Sequence, residues 1–204
     1  VENLNAIHFD HNYSEVQDGE VVPLKRQTAQ YPTDYSRAVY GTGGMTPRWV
    51  DHYRGGGLSS PMYVYRWDAM MELFHRFRDE EGDPHEALMV EYTDPTRGEP
   101  VFKTITFFAQ MLRPGEKTLP LRQTASLLVA PFQGSGYSIV NDQRFDWNEF
   151  DTLAVPGGAW CEHHNGSETE PVYLFVASDE PTLKKLSLFK SWGQTKGGDV
   201  VQLV

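Results

Sequence analysis

Three features of the sequence predict a mainly β domain, a sandwich or barrel with an N-terminal arm and flanking helices. Beyond Pro84, short runs rich in β-branched and aromatic residues recur at regular intervals, with Gly, Pro, Asn or Asp between them. Ahead of those runs stands one segment whose apolar residues keep helical rather than strand spacing. The first sixty residues show neither period and are rich in chain breakers.

Residues 1–60 include "GTGGMTP" at Gly41 to Pro47 and "RGGGLSSP" at Arg54 to Pro61, and read as an extended arm or linker. Residues 61–84 read as a connecting helix. Trp67, Met70, Met71, Phe74 and Phe77 fall at i, i+3, i+4, i+7 and i+10, and Gly82 and Pro84 supply the stop. Glu72, Arg76, Asp79 and Glu80 form its solvated face. Residues 85–191 carry the strands, read from "EALMVEYT", "TITFFAQML", "ASLLVAPF", "GYSIV", "RFDW", "TLAVP" and "PVYLFVAS", with a hairpin turned at Asn141-Asp142. In "EPTLKKLSLFKSW", Leu183, Leu186 and Phe189 stand three apart, which predicts a final helix on the barrel's outside. Residues 192–204 read as a tail.

The composition narrows the partners. At 204 residues the chain can bury a core without disulfides, and 39% hydrophobic residues argue against disorder. A net charge of −10 argues against nucleic acid, which calls for a concentrated basic surface. No apolar run approaches the ~18 residues of a membrane span. The single cysteine, Cys161, excludes an intrachain disulfide, and cytoplasm is the default compartment.

The stretch "RPGEKTLPLRQTASLLVAPFQGSG" has the glycine punctuation of a metal-binding barrel motif without its ligands. It resembles the first motif of the cupin superfamily, written G(X)5HXH(X)3,4E(X)6G, with Gly115 and Gly134 on its glycines. The ligand positions are then Leu121, Gln123 and Leu127. Leucine has no donor atom, and a neutral amide is a poor transition-metal ligand beside imidazole. The second motif, G(X)5PXG(X)2H(X)3N, is matched by Pro156, Gly158 and Asn165, with Phe150 at the leading glycine and Cys161 in place of histidine. The frame is kept for its turns. The resemblance implies a cupin double-stranded β-helix, or jelly-roll, barrel with no metal in it, Leu121 and Leu127 filling the interior.

Longer stretches resemble one family of two-barrel cupins, the ring-cleaving dioxygenases that act on gentisate, salicylate and 1-hydroxy-2-naphthoate. They are "SSPMYVYRWDAMMELFHRF", "VEYTDPTRGEPVFKTITFFAQMLRPGEKT", "GSGYSIVNDQRFDWNEFDTLAVPGGAWCEHHNGS" and "PVYLFVASDEPTLKKLSLFK". The resemblance runs from about Asn3 to Ser191 and places the chain as the C-terminal cupin half, with residues 1–60 joining the barrels. It implies that Fe(II) is held in an N-terminal barrel absent from this sequence, and that this chain holds no cofactor and no catalytic residue. The implied partners are that N-terminal half, a homotetramer, and a hydroxylated aromatic acid with O2. Scaffold and oligomerisation are the implied tasks of the half in hand.

An alternative from another class is a stand-alone, non-enzymatic cupin that binds a small organic ligand or a protein partner. A third reading makes Cys161 a nucleophile, since His163 at i+2 shares its strand face. No orienting third group is evident, and a lone cysteine in a β core is more often a small buried hydrophobe. His163 and His164, being adjacent, should point to opposite faces and cannot share a metal. His8 and His11 have ligand spacing but no third donor. His52, His75 and His85 read as surface or helix-end residues. Gly55-Gly56-Gly57 is a connector, because no Lys-Ser or Lys-Thr follows it. Tyr63, Tyr65 and Trp67 read as packing at the helix entry.

Overall fold

The computed structural model describes residues 65–94 and 98–204, together with the strands Ser14–Gln17 (β1) and Glu20–Pro23 (β2). The chain divides into two units, Val1–Tyr65 with Asp94–Gly98, and Arg66–Thr93 with Glu99–Val204. In the first unit β1 and β2 pair antiparallel, Gln17 opposite Glu20. This hairpin is a feature that the reading of residues 1–60 as an arm did not include. The rest of that reading, with His8, His11, His52, Gly55-Gly56-Gly57 and Tyr63, lies outside the described residues.

The second unit opens with α1 (Trp67–Phe77). Its strands are β3 (Leu88–Glu91), β4 (Thr106–Leu112), β5 (Leu121–Gln123), β6 (Leu127–Gln133), β7 (Gly136–Val140), β8 (Gln143–Trp147), β9 (Leu153–Val155), β10 (Trp160–Asn165) and β11 (Val172–Ser178). Then come α2 (Glu180–Lys185), β12 (Ser191–Gln194) and β13 (Val200–Gln202). A six-stranded sheet has the order β13-β12-β5-β10-β7-β8, and a five-stranded sheet the order β3-β4-β11-β6-β9. All pairings are antiparallel, and from β4 to β12 the chain passes back and forth between the sheets, as in a jelly roll.

Side-chain parity explains the layers. On β4 and β11, Leu112, Val172, Leu174 and Val176 turn inward and meet Val140, Trp147 and Cys161 of the other sheet. The alternate residues Ala109, Met111 and Tyr173 turn outward and receive Met70 and Phe74 of α1. Trp67 and Phe77, predicted on the same stripe, are only half-buried at the helix ends, Trp67 lying edge-on to Phe132 at 4.7 Å. Glu72 and Arg76 pair on the solvent side. Farther along this outer face Phe107 stacks on Phe175 at 5.5 Å, and Leu128 and Phe175 are exposed.

The backbone at the motif positions follows from what the turns demand. Gly115, Gly134 and Gly158 have φ of 67°, 90° and 86°, a region that residues with a Cβ avoid. Phe150, at a leading-glycine position, keeps a φ of 69° while 84% of its surface is exposed. The hairpin predicted at Asn141-Asp142 joins β7 to β8, both residues with positive φ as a tight two-residue turn requires. Gly136 and Gly193 serve a different end. A Cβ on Gly136 would strike the carbonyl oxygen of His164 and the Trp147 ring, and one on Gly193 would strike the His85 ring.

Two readings need correction. The final helix stops at Lys185 instead of running on to Trp192. Ser187 takes a φ of 56°, and Leu188 N–H bonds back to Leu183 O, which ends the helix and leaves Leu186 and Leu188 exposed. The stretch from Ser191, including the presumed tail, then pairs as β12 and β13 on the edge of the six-stranded sheet. His85 is buried rather than superficial. Its ring lies against Gly193, Nε2 is 3.1 Å from Gln194 O, and its backbone N–H donates to Asp83 Oδ1 at 2.7 Å.

Candidate functional site

Between the sheets lies a cavity whose wall includes all four positions singled out in the sequence, Leu121, Gln123, Leu127 and Cys161. Leu121 and Gln123 come from β5, Leu127 from the start of β6 and Cys161 from β10. The structure therefore brings together residues that two separate motifs had placed only by spacing. The interior void measures about 30 Å³. A larger hollow of about 270 Å³ shares Glu86, Phe108, Leu121, Gln123 and Glu180 with it.

The donor set does not suit iron. Leu121 and Leu127 have no lone pair to give, and the Gln123 amide is neutral. Burial, helped by the charge of Glu162, pushes the Cys161 thiol up to about 12, so it stays protonated where a metal needs thiolate. Among the described residues no three of His, Cys, Asp and Glu converge as a metal site would require. The same burial disarms Cys161 as a nucleophile.

His163 shares the inward face with Cys161, its Nε2 3.8 Å from Sγ. Its partner network is fixed. Trp147 Nε1–H donates to Ser138 Oγ at 2.8 Å, and Ser138 Oγ lies 2.7 Å from His163 Nδ1. The Ser138 hydroxyl thus accepts the indole proton and still has both a proton and a lone pair to share with Nδ1. Burial, with the neighbouring His164, pushes His163 down to about 4, so the ring is neutral. His164 faces the other side as expected, stacked on Tyr137 at 4.3 Å and bonded to Glu162 at 2.8 Å. Both histidines are buried.

Spacing in the sequence passed over two polar residues of the cavity. Gln110 is 1% exposed, and its Nε2–H donates to Glu86 O at 2.9 Å. That bond fixes the amide orientation and leaves Oε1 buried with no hydrogen-bond partner. The signal was there to be read: Gln110 stands on the inward parity of β4, between Phe108 and Leu112. Glu86 sits on the loop before β3, where Asp83 Oδ1 accepts its backbone N–H and turns it toward the barrel.

Burial pushes the Glu86 carboxyl up to about 7; Asp83 and Glu180 add to the effect and Lys184 offsets part of it. A carboxyl raised in the folded state stabilises the fold below its unfolded value of 4.5 and loses that contribution as pH climbs through 7. His163 acts in the opposite sense. The unfolded chain gains a proton below 6.5 that the folded chain refuses until about 4, so stability drops as pH falls through that window. Glu86→Gln separates the two. Urea unfolding is expected to show the variant more stable than the parent by roughly 1–3 kcal/mol above pH 7, with no gain near pH 4.5. Equal stability of the two proteins at both pH values would show that Glu86 is solvated.

No protein-family model matches the chain. Among characterised proteins, it is 31% identical over 166 residues to a 5-aminosalicylate 1,2-dioxygenase of Comamonas sp, covering 78% of this chain and 41% of that protein. Against gentisate 1,2-dioxygenase 1 of Aquipseudomonas alcaligenes it is 29% identical over 183 residues, 89% of this chain and 49% of the relative. A 1-hydroxy-2-naphthoate 1,2-dioxygenase of Nocardioides sp. (strain KP7) is 28% identical over 61% of this chain. The chain thus spans half or less of the length of these relatives. A crystal structure of a salicylate 1,2-dioxygenase from Pseudoaminobacter salicylatoxidans with gentisate superposes with a TM-score of 0.66 at 22% identity, covering 78% of this chain and 44% of that one. That likeness shows the fold, and the cupin barrel expected from the two stripped motifs is borne out.

Proposed function

We propose that this chain, a homologue of the gentisate, 5-aminosalicylate and 1-hydroxy-2-naphthoate 1,2-dioxygenases, is the metal-free second cupin half of an Fe(II)-dependent aromatic ring-cleaving dioxygenase. Its tasks are scaffolding and oligomerisation. One observation carries the reading. The four positions where the cupin motifs put metal ligands converge on one cavity and there present two alkyl groups, an amide and a protonated thiol.

On this reading the iron, the aromatic acid and dioxygen belong to a first barrel outside this sequence, and no reaction step passes through the residues in hand. What they contribute is a rigid sandwich. Its outer face supports the scaffold role, since Leu128 and Phe175 lie uncovered beside the stacked Phe107, apolar area of the kind that a second barrel would cover. The same reading makes the whole enzyme a tetramer of the cytoplasm. No described helix is long and apolar enough to cross a membrane.

The test begins with the intact mass of the polypeptide in its natural source. A mass near double the 23.2 kDa of this chain is expected, with oxygen uptake on gentisate, salicylate or 1-hydroxy-2-naphthoate. The 204-residue chain alone, exposed to Fe(II) and desalted, is expected to retain far less than one metal per chain. Stoichiometric iron bound in this barrel would overturn the metal-free assignment, and a natural product of 23.2 kDa with no companion would overturn the half-enzyme assignment.

A further inference from the structure

The cavity has a chemistry of its own, independent of the dioxygenase assignment. Among the described residues its one fully buried, unpartnered polar atom is an acceptor, Gln110 Oε1. The amide cannot turn over to offer a donor, because its Nε2–H is held by Glu86 O at 2.9 Å. Beside it the Glu86 side chain has charge interactions only, with Asp83, Glu180 and Lys184. Glu180 faces the same space but is ion-paired with Lys184 on its own helix. A buried acceptor without a donor costs about 1–3 kcal/mol, so the void favours a guest that brings N–H groups. A buried carboxyl whose cationic neighbour, Lys184, is already ion-paired with Glu180 and offsets only part of its burial favours a guest that brings positive charge. The walls next to these atoms, Phe108 and Leu121, are apolar and continue into the larger hollow.

We propose that this cavity binds a small organic ammonium ion, its N–H groups taken by Gln110 Oε1 and the Glu86 carboxylate and its alkyl chain lying along Phe108 and Leu121. The void of about 30 Å³ holds a group the size of an ammonium head, and the adjoining 270 Å³ holds a short chain. The same acidic lining turns carboxylates away. An anionic aromatic acid entering here would meet Glu86 and Glu180 with no free cation deep in the wall to receive it.

Calorimetric titration of the whole chain with n-butylamine at about pH 8, where both amine and carboxyl are charged, tests this. Saturable binding of one n-butylamine per chain is expected, and none of butyrate, which has the same size and the opposite charge. Glu86→Gln and Gln110→Leu are each expected to weaken n-butylamine about tenfold or more while unfolding cooperatively like the parent. On the unaltered protein, carbon NMR should show the Glu86 carboxyl titrating at lower pH when n-butylamine is present. That readout stands even where a variant fails to fold. No saturable heat with n-butylamine, butyrate binding as well, unchanged affinity in folded variants, or an unmoved Glu86 titration would each overturn the proposal and leave a cavity that holds water.

Discussion

Replacing Asn165 by leucine, nearly the same size, is expected to destabilise the protein by about 2–4 kcal/mol. Asn165 is 7% exposed and uses its whole amide. Nδ2 donates to Arg113 O and Glu170 O at 2.8 Å each, with Leu112 O at 3.3 Å sharing one of the hydrogens. Oδ1 accepts from Ser167 N–H at 2.8 Å. These bonds tie the end of β4, in one sheet, to the end of β10, in the other, and to the loop leading into β11. Leucine would leave Ser167 N–H and Glu170 O without these partners, while Arg113 O keeps the N–H of Glu116 at 3.0 Å, and each buried orphan costs about 1–3 kcal/mol. Urea denaturation should show a lower midpoint with an unchanged slope. A loss below about 1 kcal/mol would mean that the loop opens and water replaces the side chain.

The second large effect is expected at Phe74→Ala, about 3–5 kcal/mol. Phe74 is 1% exposed and lies 5.6 Å from the Tyr173 ring, with Leu88 and Met111 in the same cluster. Met70 and Phe74 are the buried residues of α1, with Met71 partly buried beside them and Trp67 edge-on to Phe132 at 4.7 Å. An isolated helix of eleven residues does not hold in water. Amides of α1 are therefore expected to exchange far faster in the variant, while those of β6 and β11, whose bonds lie within the sheet, keep their protection. Loss of protection throughout the barrel would show that α1 is integral to it rather than docked on its outer face.

What could be read from the sequence follows from how each element hides its polar atoms. Strands whose inward face is apolar, such as β4, β6 and β11, announce themselves as hydrophobic runs. β10 does not, because its inward residues Cys161, His163 and Asn165 are polar or weakly so and are satisfied by Ser138, Leu112 and Arg113 from elsewhere in the chain. β12 was obscured by the three-residue spacing of Leu183, Leu186 and Phe189, a pattern that the left-handed turn at Ser187 interrupts. The cavity was legible in its frame, since motif spacing named Leu121, Gln123, Leu127 and Cys161. Its polar content was less so. Glu86 and His85 look superficial until Gly193, distant in the chain, makes room for the imidazole and closes the loop over the barrel.

The bare backbones of Gly136 and Gly193 bear on how variation among homologues should be read. Gly136 has no room for a Cβ between the Trp147 ring and the His164 carbonyl, and Gly193 has none beneath the His85 ring. Both columns should remain glycine wherever the indole and the imidazole are retained, and should drift together with those rings where they are lost. A ranking of positions by invariance would put these two near the top and so direct attention to the packing around the Trp147 and His85 rings. The cavity wall, where a single Leu or Gln can change without disturbing a backbone, would rank lower while holding the residues that choose a ligand.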